Sequence, residues 1–150
     1  MVKILKCKKA NNMQIFYELI INTKGQDLYD FTKKITDWLK KQEIKNGILN
    51  LNILHTSASL ILQENADPNV IYDIKNFFDK LVPMNNKLYK HTIEGIDDMP
   101  AHLKSVLTNS NLTLSVKNKE LVLGTWQALY LFEHRLENQN RTIFCHLMGE

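Results

Sequence analysis

The chain is short of cysteine and glycine, lacks long apolar runs and carries little excess charge, and each shortage excludes a class of function. Two cysteines in 150 residues, Cys7 and Cys145, stand far apart with no Cys-x-x-Cys partner. A disulfide scaffold and a thiolate zinc finger are therefore not expected. Two free thiols in a reducing cytoplasm are the expected state, since a bridge between the terminal strands would need Cα atoms within about 7 Å. The five glycines form neither a P-loop nor a Gly-x-Gly-x-x-Gly turn, so no nucleotide cofactor is expected. No apolar run approaches the ~20 residues that span a bilayer. The start, Met1 to Lys9, has no apolar h-region or small-residue cleavage site, and the expected compartment is the cytoplasm. A net charge of +3, with scattered lysines, gives no case for nucleic acid as a partner.

What is present reads as one α+β domain, with two main helices, a short third helix and a largely antiparallel sheet or sandwich. Met13 to Thr23 is rich in Ile, Phe, Tyr and Leu and reads as a strand. Asp27 can cap a helix carrying Leu28, Phe31, Ile35, Trp38 and Leu39 at helical spacing, ending near Asn46-Gly47. Ile48 to His55 switches to period two, with Leu49, Leu51, Ile53 and His55 on one face. Ser59 to Gln63 continues as a second extended segment. Asp67-Pro68 starts a helix by a cap and a first-turn proline, and Pro83 stops it. Another short helix is expected from Met99-Pro100, with Met99, His102, Leu103 and Val106 on its buried face. The C-terminal third reads as strands at Leu112 to Val116, Glu120 to Leu123, Thr125 to Glu133 and Arg141 to Met148.

The densest chemistry lies between His91 and His102, where two histidines bracket Glu94, Asp97 and Asp98 around Gly95. Imidazole is the commonest transition-metal ligand, and carboxylates serve as ligands, general bases or seats for a hard cation. The bland reading is an acidic loop with two incidental histidines; no core needs this density of titratable groups. The spacing matches no standard zinc signature, so the stretch marks a site more clearly than it marks a metal. Smaller signals are ambiguous. His55 ends an apolar strand beside Thr56-Ser57-Ala58-Ser59, whose hydroxyls suit a phosphate. Glu64-Asn65-Ala66-Asp67 is explained by capping, and Gly124-Thr125-Trp126-Gln127 by a turn and a core tryptophan. His134 and His146 read as structural or surface residues. A Ser/His/Asp hydrolase using Ser57 or Ser59 ranks low without a Gly-x-Ser-x-Gly elbow.

In these segments the chain resembles the YjbQ family of secondary thiamine-phosphate synthase-like proteins. The carrying residues are His55-Thr56-Ser57-Ala58, Glu64 to Pro68, His91 with Glu94-Gly95 and Asp97-Asp98, Ala101-His102-Leu103-Lys104, Ser110, and Leu123-Gly124-Thr125-Trp126-Gln127. They run in the family's order from Ile48 to Gly149. The chain departs from the pattern at Asn118-Lys119-Glu120, where a turn glycine is frequent, at His134-Arg135, and at His146. The resemblance implies a β-sandwich-like α+β domain and a homotrimer with the histidines near a subunit boundary. It also implies the joining of a pyrimidine diphosphate to a thiazole phosphate, giving thiamine phosphate and pyrophosphate. The family's polar motif residues fall on His55, Glu64, Asn65, His91, Glu94, Asp97, Asp98, His102, Lys104, Thr125 and Gln127.

The leading expectation is thus a small enzyme with a metal-assisted site acting on a small phosphorylated molecule. His55, His91 and His102 would hold a divalent metal, zinc or magnesium. Glu64, Glu94, Asp97 and Asp98 would be the catalytic carboxylates, with Asp97 and Asp98 seating magnesium-pyrophosphate or orienting a histidine. Thr56, Ser57, Asn65, Lys104, Thr125 and Gln127 would bind substrate, Lys104 and the hydroxyls neutralising phosphate oxygens. The alternative is a metal- or ligand-binding accessory protein without turnover.

Overall fold

Alternating apolar and polar residues build two antiparallel sheets that face each other. The computed structural model describes residues 12–150; Cys7 lies outside them. In chain order the elements are β1 (Met13–Lys24), β2 (Asp27–Asp30), α1 (Thr32–Lys40), β3 (Gly47–Ile53), β4 (Ala58–Glu64) and α2 (Pro68–Leu81). A short 3-10 turn (Asn86–Leu88) precedes α3 (Asp98–Leu107), β5 (Asn111–Lys117), β6 (Glu120–Leu121), β7 (Gln127–Glu133) and β8 (Asn138–Gly149). One sheet has the order β1-β8-β3-β5-β6 and the other β2-β7-β4. The α+β class with an antiparallel sandwich is as expected.

The core lies between the sheets. Leu49, Leu51, Leu114, Ile143, Cys145 and Leu147 come from the larger sheet, and Leu60, Leu129 and Leu131 from the smaller, with Ile35 and Leu39 of α1. β7 reads as an unbroken apolar run because it is the central strand of its sheet and is covered on both faces. Leu129 and Leu131 enter the main core. Ala128, Tyr130 and Phe132 face the other way, against Ile71, Ile74 and Phe78 of α2.

The α2 boundary follows its local chemistry: the Asp67 carboxylate accepts from the Asn69 amide at 2.8 Å, and Pro68 is the first helical residue. The first helix does not start where Asp27 suggests. Asp27–Asp30 pairs with Tyr130–Glu133 as an edge strand, and the Asp27 carboxylate turns to the Leu28 amide and to Lys75 of α2. Asp30 instead accepts from the Thr32 amide at 2.8 Å, and α1 begins at Thr32. The third helix starts one residue before Met99, at Asp98. Its buried side is Asp98, Pro100, Ala101 and Lys104, whereas Val106 is 82% exposed and His102 only half-buried. The expected face is therefore rotated: Ala101 is fully buried, and α3 meets β4 where the Ser105 hydroxyl donates to the Ala58 carbonyl at 3.1 Å.

Candidate functional site

The β-turn and loop chemistry before α3 gathers the site. Gly95 has φ +118°, a conformation open to glycine, and a Cβ there would stand 2.8 Å from an Asp97 carboxylate oxygen. The chain then enters α3 with Asp98 in the first turn, where the helix N-terminus favours an anion. His102 lies one helical turn further on, so it shares a face with Asp98. His91 arrives from the loop after the 3-10 turn.

These three side chains converge. His91 Nε2 lies 2.6 Å and His102 Nε2 3.2 Å from the same oxygen, Asp98 Oδ2. Donor atoms of all three lie within 4.8 Å of one another. The other ring nitrogen of His102, Nδ1, is 3.0 Å from the Thr56 carbonyl oxygen. A carbonyl only accepts, so Nδ1 carries a proton, and Nε2 is the ring nitrogen directed at Asp98.

Arg135, in the turn between β7 and β8, fixes the carboxylates. Its Nε donates to Asp97 Oδ2 at 2.9 Å, its Nη1 to Asp98 Oδ1, and its Nη2 to the Glu94 carbonyl at 2.8 Å. The Leu136 amide adds a bond to Asp97 at 2.8 Å. Burial alone would raise both acids. For Asp97 the Leu136 amide and Arg135 outweigh it; for Asp98 the His91 bond, Arg135 and His102 do so, and both carboxyls lie below their ordinary range. Arg135 was not among the expected site residues. It belongs to the His134-Arg135 pair that departs from the family pattern, and nothing local links it to acids 37 and 38 residues away.

Other expected residues are placed elsewhere. His55 is outside the convergent group: its Nε2 accepts from the Thr142 amide at 2.8 Å, which leaves that nitrogen no lone pair for a metal. Burial, then Arg141, lowers its pKa. Lys104 is 1% exposed and donates to Asp79 of α2 at 2.6 Å, so its charge does not stand over the cluster. Ser57 accepts from buried Arg141 at 3.1 Å. The Glu94 backbone joins the site while the residue itself is exposed. Glu64, Asn65, Thr125 and Gln127 gather at the far end of β4, where Asn65 N donates to the Trp126 carbonyl and Gln127 Oε1 accepts from the Gly124 amide. The length of β4 puts them roughly 20 Å from the Ala58 end, at ~3.3 Å per residue.

Ser59 does meet a histidine, His134 Nε2 at 2.9 Å, but both residues are wholly buried. His134 Nδ1 has no partner among the described residues, where a hydrolase triad would place its carboxylate. The neighbouring Glu133 carboxylate instead binds Arg141 and Thr23. The pair is structural.

The family model described as UPF0047 protein YjbQ-like matches residues 17–150. The chain belongs to the UPF0047 YjbQ-like family. It is 44% identical to UPF0047 protein sll1880 of Synechocystis over 88% of this chain and 90% of that one. It is 43% identical to UPF0047 protein YjbQ of Salmonella typhimurium, covering 88% and 96%. A Clostridium acetobutylicum structure of the yjbq/upf0047 family is 31% identical with a TM-score of 0.77, covering 89% and 98%. A Sulfolobus solfataricus YbjQ-like protein of unknown function shares the fold, with a TM-score of 0.84 at 23% identity over 93% and 100%. Among the described residues of this UPF0047 chain, no helix is long and apolar enough to cross a membrane.

Proposed function

We propose that the chain is a metal-dependent enzyme of its family, with His91, Asp98 and His102 as the protein ligands of one divalent ion. The observation that carries this reading is the convergence of three potential ligand atoms, with Thr56 engaging His102 Nδ1 so that Nε2 is the nitrogen left for a metal. His91 Nε2 and His102 Nε2 lie 2.6 Å and 3.2 Å from one oxygen, Asp98 Oδ2, and a divalent ion there would replace the protons that otherwise join the rings to the carboxylate. Zinc with N and O bonds of ~2.0–2.1 Å at a tetrahedral angle separates two ligands by about 3.3 Å. His102 and Asp98 stand at that separation already; the His91 contact of 2.6 Å would open by about 0.7 Å.

Two imidazoles favour zinc or another transition ion over magnesium. The remaining bonds of the ligands fit as well, since Thr56 orients His102 and Arg135 holds the second Asp98 oxygen. Three protein ligands leave a coordination position open, the pattern of catalytic rather than structural sites. When bound, such an ion supplies Lewis-acid stabilisation of developing negative charge on an oxygen. Arg135 and Asp97 hold the carboxylate still.

The finer reading is the reaction that the family resemblance implies: a pyrimidine diphosphate and a thiazole phosphate give thiamine phosphate and pyrophosphate. Its support is the charge-stabilising centre, for the reaction asks mainly that the leaving pyrophosphate be neutralised. The homotrimer also remains part of the proposal. The second expected group, Glu64, Asn65, Thr125 and Gln127, is too distant to complete the centre within one chain, and a partner copy could bring its own. Exposed Phe16 and Ile20 on β1 and Phe77 and Leu81 on α2 offer apolar surface for such contacts. The cytoplasm is the proposed compartment, consistent with a free buried thiol at Cys145.

The test is a zinc titration of metal-free protein beside Asp98→Asn, with the synthase assay run on both. One equivalent bound by the wild type, weakened at least tenfold in the variant along with turnover, is expected. Equal zinc binding by both proteins would refute the ligand set. Zinc binding without thiamine phosphate formation would refute the finer reaction and favour the non-catalytic accessory role.

A further inference from the structure

A cleft of about 340 Å³ lies behind the metal centre, between the β3–β4 connection, α3 and the turn into β5. Its size sits at the lower end of the ~300–1,000 Å³ typical of small-molecule sites. His102 belongs to both places: its Nε2 faces Asp98 while the residue lines the cleft. We propose that this cleft binds the uncharged, hydroxyl-bearing part of a small organic substrate, and not a phosphate group. The placement of that substrate rests on the metal-site reading; the specificity of the cleft does not.

The case comes from where the protons are already spent. Ser105 donates its only hydroxyl proton to the Ala58 carbonyl, and Thr108 donates its own to the Lys104 carbonyl at 2.8 Å. What these two oxygens can still offer is lone pairs. A hydroxylated ligand can donate to such oxygens, whereas phosphate oxygens would meet them lone pair against lone pair. The opposite wall supplies donors. His55 Nε2 is taken by the Thr142 amide, so the neutral ring carries its proton on Nδ1, the nitrogen left for a ligand. The Thr56 and Ser110 hydroxyls make no hydrogen bond within the described residues and can turn to suit. The cleft thus pairs an accepting wall with a donating one, which matches alcohols that both donate and accept.

Charge points the same way. Among the described residues, no lysine or arginine lines the cleft. The nearby buried cations are committed, Lys104 to Asp79 and Arg141 to Glu133. A phosphate dianion would enter without a counter-charge, whereas a neutral ligand needs none. Val106, 82% exposed, adds an apolar edge against which C–H surface can rest.

The experiment is saturation-transfer NMR on the metal-free protein, with myo-inositol, ribose and glycerol as neutral probes and inorganic phosphate as the competitor. Transfer to at least one neutral probe, undiminished by phosphate, is expected. Thr108→Val and Ser105→Ala should each weaken that probe about threefold to tenfold, the worth of one hydrogen bond. Both variants should keep zinc stoichiometry and lose only about 2–4 °C of thermal midpoint, the cost of one structural hydrogen bond, which separates a lost acceptor from a lost fold. Absence of transfer from all three neutral probes overturns the proposal, as does displacement of a bound probe by phosphate. If the neutral probe binds but zinc does not, the cleft reading stands and the metal reading falls; the converse result separates them the other way.

Discussion

Replacing Arg135 by Met should destabilise the metal-free protein more than any other single change at the site. Methionine keeps much of the side-chain length and removes the charge. The Arg135 side chain is 17% exposed, and the side chains it binds are 9% (Asp97) and 2% (Asp98) exposed. Removing one partner of a buried ion pair costs about 3–5 kcal/mol, because the other charge is left uncompensated. Asp97 keeps the Leu136 amide and Asp98 keeps two histidines, so the lower end applies, about 3 kcal/mol. In a domain of this size that is a fall in thermal midpoint of roughly 6–12 °C. Both acids lie below their ordinary value of 3.8 in the folded protein, so their contribution is present above that pH and fades as pH falls through the folded values. The gap between wild type and variant should therefore close on acidification below 3.8. Zinc should stabilise both proteins, by about 2.7 kcal/mol at 100 times each protein's own Kd. Calorimetry across pH, with and without zinc, measures all three effects. A midpoint within about 2 °C of wild type, well under the expected shift, would refute the electrostatic account of the site.

Further outcomes follow from the packing. Burial first, then Lys104 and Arg141, pushes the His134 pKa down to about 3 from 6.5; the unfolded chain takes up that proton first, so stability should fall as pH drops from 6.5 towards 3, by a few kcal/mol. NMR should show the His134 ring neutral throughout that window until unfolding sets in. Asp67→Ala removes the α2 cap and should lower the urea-derived stability by about 1 kcal/mol while leaving zinc affinity unchanged. Burial pushes the Cys145 thiol up to about 12, so iodoacetamide should leave it unmodified at pH 8 unless denaturant is present.

What the sequence revealed was what local chemistry decides. Asp67-Pro68 starts α2 because a cap and a proline act within one turn, and β3 is legible because its alternation mirrors its two faces. Asp27 misled because an edge strand is made by its partner, and β7 lies a hundred residues further on. The His91–His102 stretch was recognisable from its density of ligands, and three of its members do converge. Lys104 reads as a free cation on paper, yet Asp79 of another helix draws it inside. Arg135 carried no local signal at all: its importance comes from a turn that delivers it to acids across the fold.

The central claim is a metal centre built on His91, Asp98 and His102, and metal content tests it most directly. Protein purified without added metal, compared with His102→Ala, should carry near one equivalent of zinc or another divalent transition ion that the variant lacks. An equal metal content in the two proteins, or none in either after zinc has been offered, would contradict it.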